Sequence, residues 1–122
     1  MTRIIDTGAL LAQTHVLPSG TRVRLRLPQS ADRERMMELV GPVTDPLLAR
    51  RIVRHDPTTQ IVICATIADA GRDRVIGVAS ASIDGNGPHA VGVDPAFGHE
   101  LTQLLGGALA DRRRMRRRRR AA

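Results

Sequence analysis

The sequence predicts an α/β domain in which three helices cover a mixed, mostly antiparallel sheet of about four strands. Three patterns indicate this class: a strictly alternating segment followed by a helical one, two β-branched runs separated by a short turn, and a last apolar stripe at helical spacing. The chain has 122 residues and an apolar content of 42%, enough for one small domain with a modest core. Since Phe97 is the one aromatic residue, that core is expected to consist of Val, Ile, Leu and Ala.

The first strand and the first two helices follow from residues 21–54. Residues 21–27 alternate apolar side chains with three arginines, which predicts a strand with one apolar and one basic face. Ser30 is a favoured N-cap for the helix that follows, whose apolar stripe lies at 36–40. Asp45, followed directly by a proline, predicts the start of a second short helix.

A hairpin and a short strand are predicted next. Residues 61–67 form a continuous, mostly β-branched run, which is typical of a strand covered on both faces. A turn at 69–73 leads to a second central strand at 75–83, so the two strands are expected to pair as a hairpin. After another turn at 84–88, residues 89–93 predict a short fourth strand.

A last helix is predicted after Pro95 and the lead-in at 97–100. Its apolar stripe repeats at 3.6-residue spacing and consists of Leu101, Leu104, Leu105, Ala108 and Leu109. The pair Gly106–Gly107 lowers helix propensity in the middle of this segment, which indicates close packing there. Residues 1–19 show no clear period and are interpreted as an N-terminal extension, so the predicted domain spans 20–111.

The positive charge is confined to the C-terminal segment. The formal net charge is +7, all 19 basic residues are arginines, and eight of them lie at 112–114 and 116–120, which leaves the rest of the chain nearly neutral. Residues 112–122 are therefore predicted to form a tail that is disordered or only transiently helical on its own. Two interpretations stay open: Arg112–Arg120 bind nucleic acid non-specifically through its phosphates, or the tail is a degenerate end without a function.

Composition excludes several classes of protein and site. Cys64 is the single cysteine, so an internal disulfide and a Cys-based zinc cage are excluded, and a reducing compartment is favoured. No apolar run approaches the ~20 residues that span a bilayer, and the chain start does not read as a signal peptide, so we predict a cytoplasmic protein without a membrane partner. Because Tyr and Trp are missing, a tyrosine general acid and an aromatic platform for single-stranded nucleic acid are excluded.

The order strand, helix, helix, hairpin, strand, helix resembles that of the GNAT-type N-acetyltransferases, which are acyl-CoA N-acyltransferases. The resemblance is carried by residues 23–26 (VRLR), 75–77 (VIG), 93–95 (VDP) and the loop 97–102, and it covers about residues 20–111. It implies a truncated acyl-CoA N-acyltransferase fold. The implied function is binding of acetyl-CoA, or another acyl-CoA, and transfer of the acyl group to an amine acceptor that the sequence does not identify.

The cofactor site that the resemblance implies lies where the fourth strand leads into the last helix. A loop that enters a helix presents unpaired N–H groups at the positive end of the helix dipole, which suits a pyrophosphate. In the family, the pantetheine arm pairs with the edge of the strand that corresponds to residues 89–93, where Gly92 would suit a bulge. The implied cofactor-binding residues are Val91, Val93, Phe97, Gly98, His99, Glu100, Leu101 and Thr102.

The loop departs from the family pattern Gln/Arg-x-x-Gly-x-Gly/Ala. Aligned through Gly98, it lacks the Gln or Arg, and Glu100 and Thr102 stand where the two glycines are expected. The Glu100 carboxylate is expected to repel a pyrophosphate, whereas the Thr102 hydroxyl could donate to one. The strand, helix and hairpin with which the family continues have no recognisable counterpart, so the implied acceptor side is incomplete.

No catalytic residue is assigned. His89 is a candidate base, with a solvent-facing histidine as the simpler interpretation, and no metal site is predicted because the four histidines lack ligand spacing, His99 beside Glu100 included. Cys64 lies in a buried-strand pattern and is interpreted as a core thiol. Arg22, Arg24 and Arg26 share one strand face, where they either bind an anion or are simply solvated or paired with Asp and Glu side chains.

Two alternatives of other classes stay open. The chain could be a non-catalytic GNAT remnant or binding module, which as a homodimer would cover the sheet edge left open after the fourth strand. It could instead be a small nucleic-acid-associated protein that acts through Arg112–Arg120.

Overall fold

A five-stranded antiparallel sheet forms the centre of the structure, a computed structural model that describes residues 14–83 and 89–121, with 115–121 described by their backbone. The strands are β1 (Thr14–Val16), β2 (Arg22–Arg26), β3 (Gln60–Asp69), β4 (Arg72–Ser82) and β5 (His89–Val93). The helices are α1 (Arg33–Val40), α2 (Pro46–Arg54) and α3 (Gly98–Ala121), and 3-10 turns at Ser30–Asp32 and Gly41–Val43 flank α1. The predicted turn at 84–88, residues 1–13 of the predicted extension and Ala122 lie outside the described residues.

The sheet has one strand more than the sequence predicts, and it is antiparallel throughout rather than mixed. The strands lie side by side in chain order, so each one runs against its neighbour. The additional strand is β1, which pairs with β2 through Thr14↔Arg24 and Val16↔Arg22. Three residues are too few to show an alternating period, which is why the sequence does not reveal this strand. The predicted hairpin and the strand at 89–93 are confirmed.

The helices cover both faces of the sheet. On one face, α3 packs against a core formed by residues of β2, β3 and β4; on the other, α1 and α2 cover the second core. Ile63 and Cys64 are neighbours in β3 and are buried in opposite cores, which confirms that this strand is covered on both faces. The position of β5 at the end of the sheet therefore places its edge between these two helical layers.

The close contact between α3 and the sheet is made at a strand glycine. A Cβ atom on Gly77 of β4 would lie 2.8 Å from Leu105 Cδ1 and 3.1 Å from Leu101 Cδ2. Both leucines are fully buried. The prediction of close packing at Gly106–Gly107 is wrong, because both glycines are exposed and no described atom lies within 4 Å of a Cβ at either.

The start of α2 agrees with the prediction. Asp45 accepts the Leu48 N–H through Oδ1 at 2.9 Å, and Pro46 occupies the first helical position. The helix ends at Arg54, and His55 caps it with a left-handed φ of +46°. This well-capped helix covers one part of the second core.

α3 continues through the arginines to Ala121, where the sequence predicts a disordered or only transiently helical tail. Arginine has a high helix propensity, and Arg114 forms an ion pair with Asp111 one turn earlier. Both features favour extension of a helix that is already anchored by its apolar stripe. No helix in the part of the chain that the structure describes is long and apolar enough to cross a membrane.

Candidate acyl-CoA site

The outer edge of β5 carries backbone groups that point away from the sheet. The Asp94 N–H donates to the Ile76 carbonyl at 2.8 Å, and the same register continues through Val78↔Gly92. In an antiparallel pair, residues directed at the neighbouring strand alternate with residues directed away from it. The N–H and C=O groups of His89, Val91 and Val93 therefore face away from β4. We call these groups the outer edge of β5; no described strand pairs with it.

Gly92 is required for the approach of α1 rather than for a bulge. The register between β4 and β5 is unbroken from Gly77↔Val93 to Ala81↔His89, so the bulge expected at Gly92 is not present. A Cβ atom at Gly92 would lie 2.1 Å from the carbonyl oxygen of Leu39, near the end of α1. The register irregularity in the sheet lies instead at Ala65/Thr66 of β3.

Asp94 forms the turn that joins β5 to α3. Its Oδ1 accepts the Ala96 N–H at 3.0 Å, and its carbonyl accepts the N–H groups of Phe97 at 3.0 Å and Gly98 at 3.4 Å. The Ala96 N–H, together with Arg35, holds the pKa of the Asp94 carboxyl below its usual range. One side chain and one carbonyl thus fix the direction in which the chain enters α3.

Two arginines hold Asp94 from the neighbouring elements. Arg35 of α1 donates from Nη2 to Asp94 Oδ2 at 2.9 Å and from Nε to the Val75 carbonyl at 2.9 Å. Arg74 of β4 donates to the same Oδ2 at 3.4 Å. Arg35 therefore connects α1, β4 and the β5–α3 turn, and Glu38 accepts its remaining Nη1 at 2.9 Å.

The start of α3 presents two N–H groups for which the described part of the chain offers no acceptor. The first four N–H groups of a helix have no acceptor within it, and here those of Phe97 and Gly98 are taken by Asp94. No described residue accepts the N–H groups of His99 and Glu100. Gly98 has a φ of +49°, a left-handed conformation that other residues adopt only with strain.

The structure places the eight predicted cofactor residues along one continuous segment, but their side chains differ in role. Val91, Val93 and Phe97 pack partly buried against the core beneath α3, and Leu101 is fully buried in it, so these four can meet a ligand mainly through their backbone. The Thr102 hydroxyl donates to the Gly98 carbonyl, one helical turn earlier, at 3.2 Å, so its hydrogen is already bonded within the chain.

His99 and Glu100 carry accessible polar or charged side chains at this end of α3. His99 is exposed and Glu100 is partly exposed. Among the described residues, no three His, Cys, Asp or Glu side chains gather where they could hold a metal ion. The arrangement can therefore bind by backbone hydrogen bonds and the helix dipole, with Glu100 as a local negative charge.

Cys64 is a core thiol, as the sequence predicts. Its side chain extends from β3 into the core that α1 and α2 cover and is completely buried there, and this burial raises the thiol pKa to about 12. A thiol with such a pKa remains protonated at neutral pH and is a poor nucleophile. Cys64 thus has no part in the candidate site.

Of the three arginines of β2, one is paired with acids and two are exposed, as expected for a solvated or paired face. Arg26 binds both carboxylate oxygens of Asp32, at 2.7 and 2.9 Å, and this contact lowers the Asp32 pKa. Asp32 also accepts the Gln29 N–H at 2.7 Å and precedes α1 directly, so the prediction of Ser30 as the N-cap is wrong. Arg22 and Arg24 are exposed on the same sheet face.

Sequence analysis missed Asp94, Arg35 and Arg74. An Asp followed by Pro at the end of a strand is a signal for a turn in which the carboxylate accepts backbone N–H groups, so Asp94 could have been found. Arg35 is separated from Asp94 by 59 positions, and no local pattern connects the two.

Comparisons of the chain with protein-family models, curated proteins and solved structures find no match.

Proposed function

We propose that the chain binds an acyl-CoA along the outer edge of β5 and at the start of α3, and that it transfers the acyl group to an amine. The observation that carries this proposal is the continuity of the two parts. A strand edge that no described strand covers leads, through a turn held by Asp94, directly to a helix start whose N–H groups at His99 and Glu100 have no acceptor among the described residues. A cytoplasmic location, as expected from the sequence, belongs to the same proposal.

The two parts suit the two halves of coenzyme A. Its pantetheine arm is an extended chain with amide groups, which can pair with a strand edge as a further strand does. Val91 and Val93 offer their N–H and C=O groups to such a ligand. The pyrophosphate would then lie against the N–H groups of His99 and Glu100, at the positive end of the α3 dipole.

The affinity of full-length protein for acetyl-CoA, measured by calorimetric titration near 150 mM salt, tests this proposal. We expect micromolar binding and at least a tenfold loss in Gly98→Val, because a β-branched residue at a φ of +49° costs about 1–2 kcal/mol and displaces the loop. Glu100→Gln is expected to bind several times more tightly, since it removes a charge that repels the phosphates.

Gly106→Ala is the matched control. This exposed glycine lies in the same helix and has no described neighbour within 4 Å of a Cβ, so the affinity should not change. All four proteins carry the same C-terminal arginines, so capture of the ligand by those arginines would be equal in each. Folded protein that binds no acetyl-CoA, or equal affinities in the Gly98 and Gly106 variants, would contradict the proposal.

The outer edge of β5 also supports a second candidate, a binding module that dimerises. Two copies could pair their β5 strands in antiparallel orientation, so that each copy covers the outer edge of β5 in the other. Pairing would occupy the N–H groups of Val91 and Val93, so dimerisation and acyl-CoA binding would compete. Sedimentation distinguishes the two: a dimer that acetyl-CoA does not dissociate favours the module over the transferase.

A further inference from the structure

The arginine-rich end of α3 continues the helix past its last described buried residue. Among the residues of α3 whose side chains the structure describes, Ala108 and Leu109 are the last buried ones, and Arg114 is exposed. From Arg112 to Ala121 the helix continues for about 15 Å, at 1.5 Å per residue. We call residues 112–121 the arginine helix.

The arginines surround the axis of this helix. At 100° per residue, the eight arginine positions at 112–114 and 116–120 are spread around the helix axis, so the sequence of this segment contains no apolar stripe. Several of these positions are three or four residues apart, where like charges repel. A partner that stabilises this helix must therefore supply negative charge on more than one side.

We propose that the arginine helix binds the major groove of duplex DNA through its phosphates. That groove is about 12 Å wide and admits an α-helix, with a row of phosphates along each side. Arginine binds phosphate oxygens through two parallel hydrogen bonds, which suits it to this contact. Phosphate contacts carry no sequence information, so the binding is independent of sequence.

The rest of the chain favours a duplex over other polyanions. The residues outside the arginine helix carry eleven arginines against twelve acids, so they add no general attraction for nucleic acid. Proteins that hold single strands stack the bases on aromatic side chains, and the one aromatic residue, Phe97, is partly buried against the α3 core. The major groove of duplex RNA is deep and narrow and does not admit a helix so readily.

Binding of the full-length protein to a labelled 20-base-pair DNA, followed by fluorescence anisotropy over a range of salt concentrations, tests the proposal. Neutralisation of four or more phosphates predicts a slope of log K against log salt of about −4 or steeper. This slope corresponds to a loss of at least about 100-fold in affinity between 50 and 200 mM salt. Helix content, measured by circular dichroism, is expected to be retained or to rise on binding.

The variant R116Q/R117Q/R118Q/R119Q/R120Q removes five charges and keeps a residue of similar helix propensity. Its substitutions lie beyond Leu109, the last buried residue among those whose side chains the structure describes, and we expect the salt slope to fall to half or less. The control R22Q/R24Q/R50Q/R51Q changes four exposed arginines elsewhere and should bind as the unchanged protein does. Equal loss in the two variants, or tighter binding to single-stranded DNA or duplex RNA, would overturn the proposal.

Discussion

Gly92→Ala is expected to destabilise the domain by about 3 kcal/mol or more. The added Cβ would lie 2.1 Å from the Leu39 carbonyl oxygen, 2.6 Å from the Leu39 carbonyl carbon and 3.1 Å from the Val40 N atom. These are backbone atoms, which cannot turn away as a flexible side chain can, so either α1 or β5 must move. Overpacking that is relieved by side chains costs about 1–3 kcal/mol, and a backbone collision belongs at or above that range.

Thermal unfolding, followed by circular dichroism, measures this effect as a fall in Tm of about 10 °C or more. Gly106→Ala is again the matched control, because it adds the same methyl group at an exposed helical position. There it should raise the free energy of unfolding by up to about 1 kcal/mol. If Gly92→Ala unfolds within 2 °C of the unchanged protein, the contact between α1 and β5 described above is incorrect.

Leu105→Ala is expected to destabilise the domain by about 2–5 kcal/mol. Leu105 is fully buried between α3 and β4, and removal of its side chain leaves a cavity that the sheet fills only in part. Exposed Gln103 of the same helix supplies the control, and Gln103→Ala should change the free energy of unfolding by less than about 0.5 kcal/mol. Urea titration of both variants measures these values.

A substitution at Gly77 tests the contact between α3 and β4 from the strand side. Gly77→Ala alone places a Cβ 2.8 Å from Leu105 Cδ1 and should destabilise by about 1–3 kcal/mol. In the double variant Gly77→Ala/Leu105→Ala, the shortened side chain at position 105 leaves room for the new methyl group. The loss of stability in the double variant should therefore be smaller than the sum of the two single losses by about 1 kcal/mol or more. Strict additivity would mean that α3 does not pack on Gly77.

The elements that the sequence predicted are those with a local signal of sufficient length. The hairpin of β3 and β4 has long apolar runs on either side of a turn, and α2 begins with an Asp–Pro pair that specifies its first turn. β1 has three residues and forms because β2 offers it an edge, which is a tertiary effect. The continuation of α3 into the arginines likewise depends on the anchored part of the helix.

Glycines illustrate where local reasoning fails. The sequence singles out Gly106–Gly107 because two glycines interrupt a helical pattern, yet the tight contacts are at Gly77 and Gly92, each alone in a strand. A helical glycine and a strand glycine look alike in sequence. Which of them meets another backbone depends on how the layers pack, and that is set by residues far away in the chain.

The strand and the helix start that the candidate site comprises could be predicted from the sequence, but the side-chain contacts that hold the turn between them could not. Residues 91–102 are contiguous, so the strand edge and the helix start follow from one short segment. The contacts of Asp94 with Arg35 and Arg74 join parts of the chain that no periodic pattern relates. The Thr102 hydroxyl was predicted as a possible donor to a phosphate, and in the structure it donates to the nearby Gly98 carbonyl. Its local sequence does not distinguish between these two acceptors.

Amide hydrogen exchange, measured residue by residue by NMR with and without acetyl-CoA, would show whether the outer edge of β5 receives the ligand. The N–H groups of Ala90 and Gly92 already face β4 and should exchange slowly in both samples. Those of Val91 and Val93 should become protected only when the ligand is present, together with shifted signals for His99 and Glu100. Protection that spares Val91 and Val93, or shifts confined to residues 112–121, would contradict the proposed site.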